Sequence, residues 1–147
     1  MDLGKVPPHD EEAEQAVIGN MMTDKDAVTS AIEVLKPEDF YREDNKIIYG
    51  AIMNLYAKAE PIDLITLKDE LTSLGKLEYL VSLPEKVPTT ANVEKYIKIV
   101  EEKSILRNLI KTANELIEIG YRQNEEVEIL MDSVEKKIFD LMQRKSQ

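Results

Sequence analysis

The residues that could do chemistry are few, and their surroundings suit other work. Glu11-Glu12 and Glu125-Glu126 are adjacent carboxylates of the kind used in acid/base catalysis. Each pair lies where a helix is expected to begin, and there acidic side chains stabilise the positive end of the helix dipole. The single histidine, His9, follows Pro7-Pro8 and reads as a cap or surface residue. With one imidazole and no cysteine, a His-rich or thiolate metal site, a disulfide and a cysteine nucleophile are all excluded. Two Gly-Lys pairs, Gly4-Lys5 and Gly75-Lys76, lead into Val6 and Leu77 instead of Ser or Thr, so neither forms a nucleotide-phosphate loop. No catalytic residue, metal or cofactor is expected, and ATP hydrolysis by these residues is excluded. Contact chemistry is better supplied: Met21-Met22 reads as core before pliable surface, and Tyr79, between Gly75 and Pro84, as core or contact.

The elements that must position these residues are helical. Acidic residues after Asp10 open a first helix with Ala13, Val17 and Met21 on one stripe, running to about Met22. Asp24 or Asp26 caps a second, with Val28, Ala31, Ile32 and Leu35 at helical spacing, and Pro37 stops it and starts a new turn. Phe40 and Tyr41 are expected in the core. Asp44 is expected to cap a third helix whose apolar face is Ile47, Ile48, Ala51, Ile52, Leu55 and Tyr56, ending at Glu60-Pro61. Asp63 caps a fourth, with Leu64, Leu67, Leu71 and Leu74 in register and Gly75 at its C-terminal end. A short apolar connector, Leu77 to Leu83, precedes Pro84 and Pro88, and the helix signals fail across Glu78 to Pro88. Thr89-Thr90 then opens the longest periodic stretch, Ala91 to Ile119, ended by Gly120. The last helix, Glu125 to Met142, should fold back on Ile105 to Ile119 as an antiparallel hairpin.

That hairpin carries more apolar surface than two helices can hide. Ile105, Leu106, Leu109, Ile110, Ala113, Leu116, Ile117 and Ile119 wrap about half of the outgoing helix, against Val127, Leu130, Met131, Val134, Ile138, Leu141 and Met142 on its partner. Each Leu or Ile left in water forgoes roughly 1.5 to 3 kcal/mol, so the surplus face predicts association, with dimerisation into a four-helix arrangement favoured over the head folding down onto it. Ile105, Leu106, Leu109, Val127, Leu130, Val134 and Ile138 are the self-association candidates. The domain division expected is a helical head over 1–103 and a hairpin with the start of a linker over 104–147; the tail Gln143 to Gln147 stops as if at a linker.

Composition agrees with an all-α chain. Of 147 residues, 43% are apolar, with no Trp and only two Phe, so the core rests on aliphatic side chains. The formal charge is −10; residues 1–100 hold 11 basic against 19 acidic groups, net −8, and the remainder is nearly neutral. Phosphate binding depends on Lys and Arg, so strong nucleic-acid binding by this chain is disfavoured. No apolar run approaches the roughly 20 residues of a membrane span and no secretory signal opens the chain, so the cytoplasm is the expected compartment.

Taken together, several motifs resemble the N-terminal domain of the bacterial DnaB-type replicative helicases. They are Pro7-Pro8-His9 with Glu12-Ala13-Glu14-Gln15-Ala16-Val17-Ile18-Gly19; Pro37-Glu38-Asp39-Phe40-Tyr41; Pro61-Ile62-Asp63-Leu64 with Thr66; Val87-Pro88-Thr89 with Ala91-Asn92 and Tyr96; and Ile99-Val100-Glu101-Glu102-Lys103-Ser104 with Leu106-Arg107. Their order and spacing match over Val6 to Ser146. The resemblance implies a helical head followed by a hairpin, forming the collar of a hexamer as a trimer of dimers. It implies a surface that receives the C-terminal domain of a DnaG-type primase, with a helicase loader as a further candidate partner. Carried over position by position, the primase-facing residues become Glu12, Tyr79, Ile110, Leu116 and Ile117. The family's motor domain, which holds ATP and Mg, follows a linker and is not in this sequence. Two departures stand out: the Gly-Gly pair common just before the segment containing Tyr79 is missing, so that Leu77-Glu78 runs straight into it and the connector is shorter, and Asn45 stands where a histidine is common. A purely structural oligomerisation domain is the alternative, and a helix-turn-helix DNA binder is disfavoured by the acidic head.

Overall fold

A computed structural model describes residues 4–71, 77–88 and 92–145. Seven α-helices account for most of them: α1 Glu11–Met21, α2 Lys25–Val34, α3 Glu43–Ala57, α4 Leu64–Glu70, α5 Leu77–Ser82, α6 Val93–Tyr121 and α7 Val127–Lys145. Two 3-10 turns, Pro37–Asp39 and Leu83–Lys86, complete the set, and no strand occurs among the described residues. The chain is all-α, as the periodicity predicts. It divides into two compact units, His9–Ser104 and Met1–Pro8 with Ile105–Gln147, so the boundary falls within α6.

Helix starts in the first unit are fixed by local chemistry. The Asp10 carboxylate accepts from the Ala13 amide at 2.9 Å and Asp24 from the Asp26 amide at 2.9 Å, each satisfying a donor the helix leaves open. Asp63 and Thr66 form a reciprocal box, with the Thr66 amide donating to Asp63 at 2.9 Å and the Asp63 amide to the Thr66 hydroxyl at 3.0 Å. Asp44 is not the cap the sequence suggested: α3 begins at Glu43, two residues earlier than a cap at Asp44 would place it, after Arg42 with no side-chain cap, and Asp44 lies in its first turn. That helix ends in a Schellman arrangement, the Glu60 amide donating to the Leu55 carbonyl and Ala59 to Tyr56, with Ala59 at φ 56° where glycine is favoured. Leu74, Gly75 and the Thr89-Thr90-Ala91 opening lie outside the described residues.

Val17, Ile18, Met21, Phe40, Tyr49 and Ile52 are fully buried, with Ala16, Ala27 and Ala31 where helices approach closely. Met21 and Met22 are core, the reading their sequence favoured. The Tyr49 hydroxyl donates to the Leu35 carbonyl at 3.0 Å, satisfying a buried polar group, and its ring lies 4.7 Å from that of Phe40. Three assignments are corrected. Tyr41 is 39% exposed and stacks on His9 with ring centroids 4.1 Å apart, while Ile47 and Tyr56 flank the α3 face that Ile48, Tyr49, Ile52 and Leu55 bury. A helix face is only as wide as the elements that cover it, and residues at its edges stay wet. Gly19 permits close approach of α1 to the turn after α5: a Cβ there would lie 2.2 Å from the Leu83 carbonyl oxygen.

In the second unit α7 returns antiparallel to α6. Lys137 meets Glu115 at 2.9 Å, and Ile119 and Leu130, nearer the Arg122 to Glu126 connector, are buried. The Arg107 guanidinium donates to the Pro8 carbonyl at 2.8 Å. Gly120 does not stop α6, which continues to Tyr121. A glycine costs about 1 kcal/mol in a helix, too little to end one with so much apolar surface before it.

Candidate protein-interaction site

No group of three or more His, Cys, Asp or Glu side chains able to hold a metal occurs among the described residues, and none of their helices is long and apolar enough to cross a membrane. What the structure builds around the candidates is a set of contact surfaces.

Tyr79 has the most elaborate setting. It lies on α5, so the connector expected to be irregular is helical, and the 3-10 turn Leu83–Lys86 extends it. Leu and Glu, at positions 77 and 78, are ordinary helix formers. The Tyr79 ring is half-buried at the edge of the core. Its hydroxyl donates to the Asn45 amide oxygen, and Gln15 is a second hydrogen-bond partner. The Arg42 guanidinium lies over the ring, 4.1 Å from its centroid, and pairs with Glu11 and with Asp44 at 3.1 Å. Burial pushes the Tyr79 hydroxyl above its ordinary value, with Gln15 and the charge of Arg42 pulling the other way. Of core and contact, posed as alternatives by the sequence, the structure shows the first in part: the ring packs against the edge of the core.

Beneath it sits Glu14, 2% exposed, whose carboxylate accepts from the Tyr41 amide at 2.7 Å, the Arg42 amide at 3.3 Å and the Asn45 side-chain amide at 2.9 Å. Three donors satisfy a group that would otherwise be costly to bury. Asn45 is fully buried and joins Glu14 to Tyr79. Sequence reasoning missed Glu14 as a buried acid, since it resembles the solvated first-turn residues Glu11 and Glu12. Its place on the buried α1 face beside Val17 and Ile18 was the available signal.

Glu12 is exposed and lines a groove of about 380 Å³ with Gln15, Lys86, Tyr96 and Ile99, within the same unit as Tyr79. Ile110, Leu116 and Ile117 lie on the second unit. Ile110 and Ile117 are exposed and seven residues apart on one stripe of α6, joined by exposed Leu106; Leu116 is half-buried. Ile110 also lines a groove of about 360 Å³ with Pro7, Arg107, Lys111, Asn114 and Glu118. Of the self-association candidates, Leu106, Leu109, Val127 and Ile138 are exposed, Ile105 and Val134 half-buried, and Leu130 buried within the hairpin. Phe139, exposed on α7, was not singled out from the sequence because it falls off the Val127, Leu130, Val134, Leu141 stripe.

Residues 6–102 match the family model of the DnaB-like helicase N-terminal domain. The chain is 43% identical to the replicative DNA helicase DnaB of Geobacillus stearothermophilus over 96% of its own length and 32% of the relative's. It is 45% identical to the replicative DNA helicase DnaC of Bacillus subtilis over 97% of its length and 33% of that protein. The chain therefore spans about a third of the length of the curated relatives it matches. Among solved structures, the N-terminal domain of the Mycobacterium tuberculosis DnaB helicase superposes with a TM-score of 0.84 at 37% identity, over 92% of this chain and 99% of that one. The N-terminal domain of the Helicobacter pylori DnaB helicase, described together with its interactions with primase, superposes with a TM-score of 0.68 at 25% identity, over 76% of this chain and 91% of that one. The fold is thus shared with DnaB N-terminal domains, and the chain belongs to the DnaB-like helicase N-terminal domain family.

Proposed function

We propose that this chain is the non-catalytic interaction domain of a bacterial replicative helicase, working in the cytoplasm. It self-associates through the α6–α7 hairpin toward the N-terminal collar of a hexamer, and it receives the C-terminal domain of a DnaG-type primase. The observation that carries this is the hairpin's open apolar surface: Leu106, Leu109, Ile110 and Ile117 on α6 and Val127, Met131, Ile138 and Phe139 on α7 are all exposed in the single chain. Surface of this extent and type is what helix-on-helix association covers. The Helicobacter pylori relative, described with its primase interactions, supports primase as one of the occupants. ATP, Mg and the motor that uses them belong, in this proposal, to the remaining two thirds of a full-length helicase. A helicase loader is a further proposed partner.

Calorimetric titration against the cognate primase C-terminal domain tests the adaptor role. Ile110→Ser should weaken binding by about tenfold, since an apolar anchor at an interface contributes over 1 kcal/mol, while helicity and the melting temperature stay unchanged because the side chain is exposed. A purely structural collar is the second reading, favoured by the exposure of Val127, Met131, Ile138 and Phe139 on α7, apart from the primase candidates on α6. No binding by the unmutated chain at high micromolar concentration would put that reading in place of the adaptor.

A further inference from the structure

On the primase-binding proposal, the hydrogen bonds around Tyr79 decide how it is presented to that partner. A carboxylate whose two oxygens already accept from the Tyr41 and Arg42 amides can only accept from Asn45 as well, so the Asn45 nitrogen must face Glu14 and its oxygen must face Tyr79. The Tyr79 hydroxyl proton is then given to Asn45, and Gln15 must be the donor at the same oxygen. Donor and acceptor capacity are both directed inward. One face of the ring is covered by Arg42, itself held by Glu11 and Asp44. What remains for a partner is ring carbon.

We infer that Asn45, seated on buried Glu14, is a positioning residue that anchors the Tyr79 hydroxyl inside the head, so that the partner reads Tyr79 as apolar ring surface and meets it with an aliphatic side chain, not with a hydrogen bond. The physical advantage is preorganisation: a ring fixed before docking loses less conformational freedom on binding.

The test is a double-mutant cycle on this chain, using calorimetric titration with the primase C-terminal domain and circular dichroism to verify folding. Tyr79→Phe and Asn45→Ala should each weaken binding by about fivefold, the scale of one hydrogen bond, and the double variant should bind no more weakly than either single one. Tyr79→Phe binding as tightly as the unmutated chain, a Tyr79→Phe loss without an Asn45→Ala loss, or fully additive losses would each overturn the inference while leaving primase binding in place. If Asn45→Ala fails to fold, NMR of the residue 79 ring in the unbound Tyr79→Phe chain decides: ring signals averaged by motion relative to Tyr79 support anchoring, and equally fixed signals overturn it. No primase binding by the unmutated chain overturns the adaptor proposal and this inference with it, whereas Ile110→Ser reports on the adaptor proposal alone.

Discussion

In the unit His9–Ser104, Val17, Ile18, Phe40, Ile48, Tyr49 and Ile52 are all out of contact with water, and the buried polar groups Glu14, Asp39 and Asn45 have partners. In the unit containing the hairpin, Ile119 and Leu130 are buried, while Leu109 is 50%, Phe139 62% and Val127 71% exposed. Both units draw on the same aliphatic residue types. The difference is geometric: five helices, two 3-10 turns and the first part of α6 can surround one another, whereas two helices can hide only the stripes that face each other. One part of the chain therefore closes on itself, and the other leaves apolar surface open.

The largest effect expected is on the self-contained side. Phe40→Ala removes a fully buried ring stacked near Tyr49 and should cost about 3 to 5 kcal/mol, lowering the melting temperature by an amount independent of protein concentration. A concentration-dependent loss would show that the head, too, relies on association. Leu109→Asp probes the other side. The residue is half exposed in the single chain, so helicity at low concentration should persist, while association should weaken by about 2 kcal/mol or more where the carboxylate becomes buried. Sedimentation of the variant separates this from unfolding, and an unchanged self-association constant would remove Leu109 from the interface.

Much of this contrast is legible in the sequence. Asp63 announces a helix start because a short acidic side chain accepts from amides the helix leaves open; of Asp24 and Asp26 it is Asp24 that does so, Asp10 does as well, and Asp44 does not. The surplus face of α6 is visible because periodicity depends on residue type alone. What sequence could not supply depends on neighbours distant along the chain. Glu14 becomes a buried acceptor only because residues 41 to 45 arrive over it, and Asn45 links it to Tyr79, 34 residues further on. Tyr41 leaves the core because His9 gives it a stacking partner at the surface. The segment holding Tyr79 reads as irregular beside Pro84, yet a proline in the first turn of the 3-10 element that follows α5 is well placed. Whether Glu12, Tyr79, Ile110, Leu116 and Ile117 act together rests on the family resemblance and on the titrations described above.

Smaller changes sharpen the comparison. Ala59→Gly relieves a left-handed backbone position at the end of α3 and should raise head stability by about 0.5 to 1 kcal/mol, seen as a rise in the melting temperature; a fall would contradict the Schellman assignment. The smallest effect belongs to the hairpin's Glu115–Lys137 pair. The hydrogen bond from Lys137, with its charge and that of Lys111, holds the Glu115 carboxyl below its ordinary value, against a weaker burial effect. A lowered value in the fold means that the pair's contribution is present above the ordinary carboxylate range and is lost as pH falls through the Glu115 value. Because about a third of each side chain is exposed, Lys137→Ala should cost little at neutral pH and less as the pH falls; a difference that grows on acidification would contradict this sign.

The contrast between a closed head and an open hairpin is tested most directly by light scattering of the unmutated chain over a concentration series, alone and with the primase C-terminal domain. The account predicts a mass rising from monomer to dimer with concentration, and a further increase when primase is added. A mass fixed at one chain throughout, with and without primase, would contradict it.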